Sequence, residues 1–520
     1  MDRSRSTRVS DGIPASVLCL LAFALAWGTG CGEKPPATVQ APAAPTSPVI
    51  PASPPEKKQI KVIPAQPKAE TSRSESQPPR PSGRQTQGTL ADLVEAGKPQ
   101  GPKNEFGDIL TPLPKHDEAK LSAAGIRKLT GKHLVLFTDL ALSPETEELP
   151  AVFDAAVPQW CGYFGIEPKR AAEWKQVGYL IGDKARFQGV GLIPDDLPPF
   201  LNGFQRGSEF WMYERPSGYM HRYLLLHEGT HGFMYQFLGG GGPPWYLEGT
   251  AELFGTHDWK DGKLQTRILP ASKEASPYWG RIKLIREDYA EDRGLHLVDV
   301  MRVDQHAFLK NEPYAWSWGA CYFLDQHPKT QAAFRELKSR AADRTTDFTR
   351  SLYDSVKADW PAIQEDWQVF IANLDYGYDF SHALVIRKPA ETLPPTGTTV
   401  KFPASAFWQA SGYRLEAGQK YRITAQGRYE IASAPQPWPC EPGGVTLRYY
   451  RGQPIGKLLG AVTDCDPVPT VSPLVHPVPI GLSAEITPTA SGTLYFGINE
   501  FPSDLADNRG ELEIRIEPSP

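Results

Sequence analysis

The sequence predicts a multidomain chain in which an α+β domain is followed by an all-β domain, a β-sandwich of jelly-roll type. The chain has 520 residues, a length that ordinarily divides into roughly two to four domains. Between about residues 130 and 375, short apolar runs come first and helix-period segments follow, which is the order of an α+β domain rather than of alternating βαβ units. After Ala390 the pattern changes to short alternating runs separated by turns, the mark of a sandwich. Hydrophobic residues at 40% and charged residues at 22% fit a soluble globular chain and exclude a polytopic membrane protein. The net charge of −5 supplies no basic field, so no nucleic-acid partner is expected.

Residues 1–31 read as an export signal. Arg3, Arg5 and Arg8 form a basic start, and Ile13 to Trp27 is an apolar run shorter than the ~20 residues of a permanent membrane span. Small residues then lead to Cys31. This arrangement resembles a bacterial lipoprotein signal, which implies a lipid on Cys31, a membrane partner through that anchor, and a location facing periplasm or cell surface. Residues 32–104 read as a disordered tether. No aromatic residue occurs from Gly28 to Asn104, and 13 of the chain's 51 prolines fall between Pro35 and Pro81. Such a composition buries too little apolar surface to offset its chain entropy.

Residues 105–390 form the predicted α+β domain. Strands are expected over 132–139 (KHLVLFTD), 176–182 (QVGYLIG) and 209–214 (EFWMYE), with an amphipathic helix over 145–165. Helices are then expected over 218–238, 244–256, 277–290, 313–326, 330–341 and 360–374. In the first of these, His227-Glu228-Gly229-Thr230-His231 puts two imidazoles at i and i+4, one turn apart on one face, where both reach a single ion. Glu228 projects beside them and suits a general base acting on a metal-activated water. Pro216-Ser217 is a start signal for this helix and the glycines 239–242 a stop.

A catalytic zinc usually takes three protein ligands. Pro243–Phe254 (PPWYLEGTAELF) opens with Pro in a first-turn position and carries Glu248 and Glu252 at i and i+4. Sixteen residues (232–247) separate His231 from Glu248, enough to fold back across the glycine turn. Glu248 is the expected third zinc ligand. Glu252 is expected to accept the free ring N–H of a histidine. His221, His257, His296, His306 and His327 lack metal spacing and read as structural or exposed.

HEGTH followed by PPWYLEGTAELF resembles the gluzincin metallopeptidases, in particular the peptidase MA-like group, over about residues 130–380. Trp245, Leu247, Glu248, Gly249, Ala251 and Glu252 match that group's segment after HExxH. The resemblance implies a zinc-dependent hydrolase of peptide bonds, with peptide or protein as substrate. Related aminopeptidases carry P-Y-x-x-G, whose tyrosine hydrogen-bonds the oxyanion. Here Glu312–Leu324 (EPYAWSWGACYFL) assigns that role to Tyr314, although Gly319 stands two residues later than in the pattern. The G-x-M-E-N segment that clamps a free amine is absent, which favours an endopeptidase. The contrasting reading is a surface adhesion or carbohydrate-binding lipoprotein without turnover.

Residues 391–520 form the predicted sandwich, bounded by Pro394-Pro395-Thr396-Gly397, with strands including 413–416, 420–427, 444–450, 457–462, 492–499 and 510–516. The six cysteines are too few for a disulfide scaffold. Cys440 and Cys465 are an expected bridge in an exported protein, and Cys161 and Cys321 could bridge or stay as buried thiols. The final strands, LYFGINEFPSDLADNRGELEIRI, resemble the calcium-dependent galactophilic lectin of PA-IL type. That resemblance implies calcium held by Glu500, Asp504, Asp507 and Asn508, with Ile431 supplying a backbone carbonyl, and a glycan as a further partner. The family's sugar-contacting His and Gln are not evident here.

Overall fold

The computed structural model describes residues 103–520. The predicted signal (1–31) and nearly all of the predicted tether (32–104) lie outside these residues. Among the described residues, no helix is long and apolar enough to cross a membrane.

The first half is built on a five-stranded sheet. Its strands are β1 (Arg127–Thr130), β2 (Leu134–Thr138), β3 (Gln176–Ile181), β4 (Gly203–Arg206) and β5 (Glu209–Tyr213), in the order β1-β2-β3-β5-β4. The three central strands run parallel and the two edges antiparallel. Side chains alternate between faces along each strand. Leu134, Leu136, Leu180, Phe210 and Met212 enter the main core. Phe137, Val177, Tyr179, Ile181 and Trp211 enter a second one on the opposite face. Burial on both faces explains why the central strands read as continuous apolar runs.

Helices α1 (Leu149–Phe164) and α2 (Gly218–Leu238) pack on the inner face, and α3 (Pro244–Gly255), α4 (Arg281–Ala290), α5 (Glu312–Gln326), α6 (Thr346–Val356) and α7 (Trp360–Asn373) continue the helical half beyond them. α2 starts where the Ser217 hydroxyl accepts from the Met220 amide at 3.2 Å, and it stops at Gly239 with φ 73°, a left-handed cap that favours glycine. Gly229, inside the HExxH motif, lets α1 approach closely. A Cβ there would lie 2.6 Å from the Phe153 ring and 2.8 Å from the Trp160 ring. Trp160 Nε1 then donates to Thr230 Oγ1 at 3.0 Å, so the middle of the motif is pinned from behind.

The second half is all-β. One sheet pairs β7 (Thr398–Pro403), β14 (Glu511–Pro518), β9 (Tyr421–Gln426) and β12 (Ser483–Ile486) in that order. The other contains β6 (Val385–Ile386), β8 (Trp408–Leu415), β11 (Leu458–Thr463) and β13 (Gly492–Ile498). Ile423, Leu512 and Ile514 from the first sheet and Leu415, Leu494 and Phe496 from the second share one core. β10 (Val445–Tyr450) forms a separate ribbon with residues 453–455.

The sandwich is not separated from the helices by a linker at 390/391. β6 precedes that point and already pairs with β8. Trp408, Ala410, Leu459, Ala461 and Tyr495 join the core of α5 and α7. Glu365 on α7 is fully buried and accepts from Thr463 Oγ1 at 3.0 Å, Ser472 Oγ at 2.8 Å and Arg387 at 2.8 Å. A buried carboxylate held by three donors, two of them from the β half, makes the contact specific as well as apolar.

Candidate metal centre

α2 and α3 place three donors at one point. His227 Nε2 and His231 Nε2 are 3.1 Å apart, and each lies 3.4 Å from Glu248 Oε2. With bonds of 2.0–2.1 Å, the edge of a tetrahedral zinc site is about 3.3–3.4 Å, so the three atoms stand at the separations that one ion requires. At 3.4 Å either imidazole makes only a long hydrogen bond to Glu248, whereas one divalent cation takes all three atoms as ligands at normal bond lengths. Among the described residues this is the only group of three His, Cys, Asp or Glu side chains drawn together in this way. Burial pushes the Glu248 carboxyl up, but the two imidazoles outweigh it and hold it well below the usual carboxylate range.

Glu228 is 4% exposed. Burial lifts its carboxyl to about 8, against a lowering influence from His231. The edge strand makes room for it: any Cβ at Gly203 on β4 would collide with Glu228 Oε1. Tyr314, at the start of α5, has its ring centroid 6.2 Å from that of His227, and burial raises its hydroxyl well above the usual range. His227, Glu228, Tyr314 and Arg281 line one cavity of ≈ 370 Å³ with Phe200 and Phe308. His306, read from sequence as unrelated to the site, lines it too.

Glu252 departs from expectation. Its Oε1 is 3.6 Å from His227 Nδ1, beyond hydrogen-bond reach, and the Nδ1 atoms of both histidines have no hydrogen-bond partner. The carboxylate is held by Arg281 instead, through Nε at 2.9 Å and a terminal nitrogen at 2.9 Å, and by a short contact from the Tyr223 hydroxyl. Arg281 also donates to Tyr223 Oη at 2.8 Å and stands over the Tyr314 ring at 5.6 Å. A forked guanidinium competes better for a buried carboxylate than a neutral imidazole does. Tyr223, one turn before His227, was within reach of helical spacing. Arg281 lies on a different helix and no local pattern marks it.

Of the four side chains expected to hold calcium, Asp504, Asp507 and Asn508 have partners within the protein. The carboxylates of Glu500, Asp504 and Asp507 form no converging group. Asp504 pairs with Arg448 at 3.1 Å, whose guanidinium lies 4.6 Å over the Phe501 ring. Asp507 accepts from the Ser433 amide at 2.9 Å and its hydroxyl at 3.2 Å. Asn508 donates to the Ala404 carbonyl at 3.0 Å, and the Ile431 side chain is part of the sandwich core. Glu500 Oε2 and Asn508 Oδ1 stay buried without partners, and burial, reinforced by Asp504, lifts the Glu500 carboxyl to about 8. Arg448 pairs with Asp504 alone, and among the described residues the Glu500 carboxyl keeps no cation in salt-bridge contact. The expected Cys440–Cys465 bridge is not formed, and Cys161, Cys321, Cys440 and Cys465 are all free thiols.

No family model matches the chain and no curated protein matches it. Among solved structures, the N-terminal domain of EclA, a PllA-like lectin, is similar at 19% identity, covering 24% of this chain and 100% of its own, with a TM-score of 0.20. The IMPa metallopeptidase in complex with T-antigen is similar at 8% identity, over 75% of this chain and 42% of its own, with a TM-score of 0.15. An aminopeptidase N family protein from Idiomarina loihiensis is similar at 10% identity, over 73% of this chain and 68% of its own, with a TM-score of 0.20. At such scores these likenesses carry no inference about this chain.

Proposed function

We propose that the protein is an exported, zinc-dependent endopeptidase with His227, His231 and Glu248 as zinc ligands, Glu228 as general base and Tyr314 as oxyanion donor. The observation that carries this reading is the convergence of the three ligand atoms at 3.1–3.4 Å with Glu228 buried beside them. A zinc ion there supplies Lewis acidity, polarising the scissile carbonyl and acidifying water. Glu228 takes the proton of the attacking water and returns it to the leaving amine. The Tyr314 hydroxyl, lining the same cavity, donates to the oxygen of the tetrahedral adduct. Glu252, Arg281 and Tyr223 hold the wall of the site behind His227.

Burying Glu228 among other carboxylates is costly, and a purely adhesive domain gains nothing from it. The missing G-x-M-E-N segment supports internal peptide bonds as targets. Export with a lipid on Cys31 belongs to the same proposal and rests on Arg3, Arg5, Arg8, the apolar run and Cys31. The test is elemental analysis of the purified full chain together with proteomic cleavage profiling. One zinc per chain, and cleavage abolished by chelation and restored by zinc, are expected. A metal-free chain, or cleavage indifferent to chelation, overturns the reading. Fatty-acid labelling lost in Cys31→Ala checks the anchor.

A further inference from the structure

A second cavity of ≈ 570 Å³ is lined by Arg302, Arg344 and Arg350 together with Met301, Tyr353 and Trp360, and no carboxylate lines it. Its size is that of a ligand pocket. The three arginines come from separate stretches: the turn after Leu297–Val300, the approach to α6, and α6 itself. Among the described residues, the Arg302 and Arg344 side chains take part in no ion pair. Arg350 has Asp347 at 3.9 Å, with both side chains 69% exposed, an arrangement worth little in water. Three cations facing one cavity repel one another. They do so in a chain whose net charge is −5, so no general basic excess accounts for them.

We propose that this pocket is a subsite for an acidic segment of the polypeptide substrate, its carboxylates held by the arginines and its apolar flank by Tyr353, Trp360 and Met301. The proposal deepens the peptidase reading and rests on it for the identity of the ligand. Guanidinium forks match carboxylates in pairs, and the aromatic and thioether surface beside them accepts apolar side chains.

The pocket adjoins the candidate centre along the chain. Arg302 and Val303 run directly into Gln305–Leu309, part of which lines the catalytic cavity, and Arg302 and Gln305 can be at most ~11 Å apart between Cα atoms. Pro243, also in the pocket wall, opens the helix that carries Glu248. The proposed subsite thus stands on segments that also build the centre, and the proposal has one substrate chain reach both. A single local cluster of three arginines on a net acidic protein suits a short acidic segment and not a nucleic-acid strand.

The test uses full-length Glu228→Gln protein, so that binding is read without turnover. The probes are a fluorescent peptide with Asp and Glu beside Phe and Leu, and its Asn/Gln counterpart. The acidic peptide should bind at least about tenfold more tightly at low salt, and the gap should close as salt screens it. Adding Arg302→Gln and Arg344→Gln should remove the gap while leaving the neutral peptide's affinity unchanged. Both side chains are exposed, so the melting curve should be unaltered, and Arg344→Glu should reverse the preference. Equal binding of the two peptides, a preference untouched by the arginine variants, or full displacement by inorganic phosphate alone overturns the proposal. Separate cleavage profiling of the unsubstituted protein keeps the two readings apart. Cleavage without charge preference in binding removes only the subsite, and an arginine-dependent preference without any cleavage removes the peptidase reading.

Discussion

Residues 227–252 and residues 500–508 both crowd carboxylates beside neutral donors, the first on two helices and the second in a loop. On the helices, the backbone sets the spacing. His227 and His231 share a face one turn apart, α3 brings Glu248 onto them, and three atoms meet at 3.1–3.4 Å. In the loop, the side chains are held one by one: Arg448 pairs with Asp504, Ser433 donates to Asp507 and Asn508 donates to the Ala404 carbonyl, while Glu500 Oε2 and Asn508 Oδ1 stay buried without partners. A stiff frame forces donors to remain together despite their mutual repulsion, and an irregular one lets them relax onto whatever charge or amide lies near. Ligand-type residues at ligand-type spacing are therefore stronger evidence on a helix than in a loop.

The sharpest way to break this comparison is at the general base. Glu228→Gln should keep zinc, because the three ligand atoms are untouched, and should lower turnover by ~10²–10⁴-fold. Turnover equal to that of the unsubstituted protein would remove Glu228 from the mechanism. The next largest effect separates ligand from support. Glu248→Ala, which removes a ligand atom, should weaken zinc binding by more than Glu252→Ala, whose carboxylate is held by Arg281 and Tyr223 and makes no hydrogen bond to a histidine. Competition with a chelator measures both, and a reversed order would exchange their roles.

A smaller effect probes the joint between the two regions. Glu365→Ala strips the acceptor from Thr463, Ser472 and Arg387. Because Arg387 keeps Asp366 as a partner, the expected loss is about 2 kcal/mol. Chemical denaturation should show it as one cooperative transition of the whole 103–520 unit. Two resolved transitions would mean that the sandwich folds apart from the helices. The smallest expected effect is at the loop. Since Arg448 already neutralises Asp504, millimolar calcium should leave the melting temperature unchanged, and Arg448→Ala should create a calcium-dependent rise by mass action. A rise with calcium in the unsubstituted protein would restore the loop as a metal site and erase the contrast with the helical centre.

Much of the helical centre was legible without tertiary information. The predicted helix at 218–238 coincides with α2, and those at 244–256 and 360–374 fall within one residue of α3 and α7. Their caps and periods are local, and local rules suffice for them. The edge strand β4 was missed because its four residues, GFQR, alternate too briefly to register. Yet Gly203 on that strand leaves the space that Glu228 occupies. Arg281 was missed because it reaches Glu252 from a helix 29 residues further on, and no periodicity spans that separation.

What the sequence determined by itself was the sharing of one helical face by His227 and His231, with Glu228 beside them, and of another face by Glu248 and Glu252. These are consequences of 3.6 residues per turn and hold wherever the helices are placed. Tertiary structure alone decided that Glu248 meets the histidines, that Arg281 and not His227 claims Glu252, that Arg448 disperses the acidic loop, and that the sandwich shares its core with α7. The placement of Glu248 and Glu252 depends on which partner a buried carboxylate meets when elements distant in sequence pack together, and the shared core on apolar surfaces that meet in the same way. In a low-dielectric interior the nearest well-aligned cation prevails.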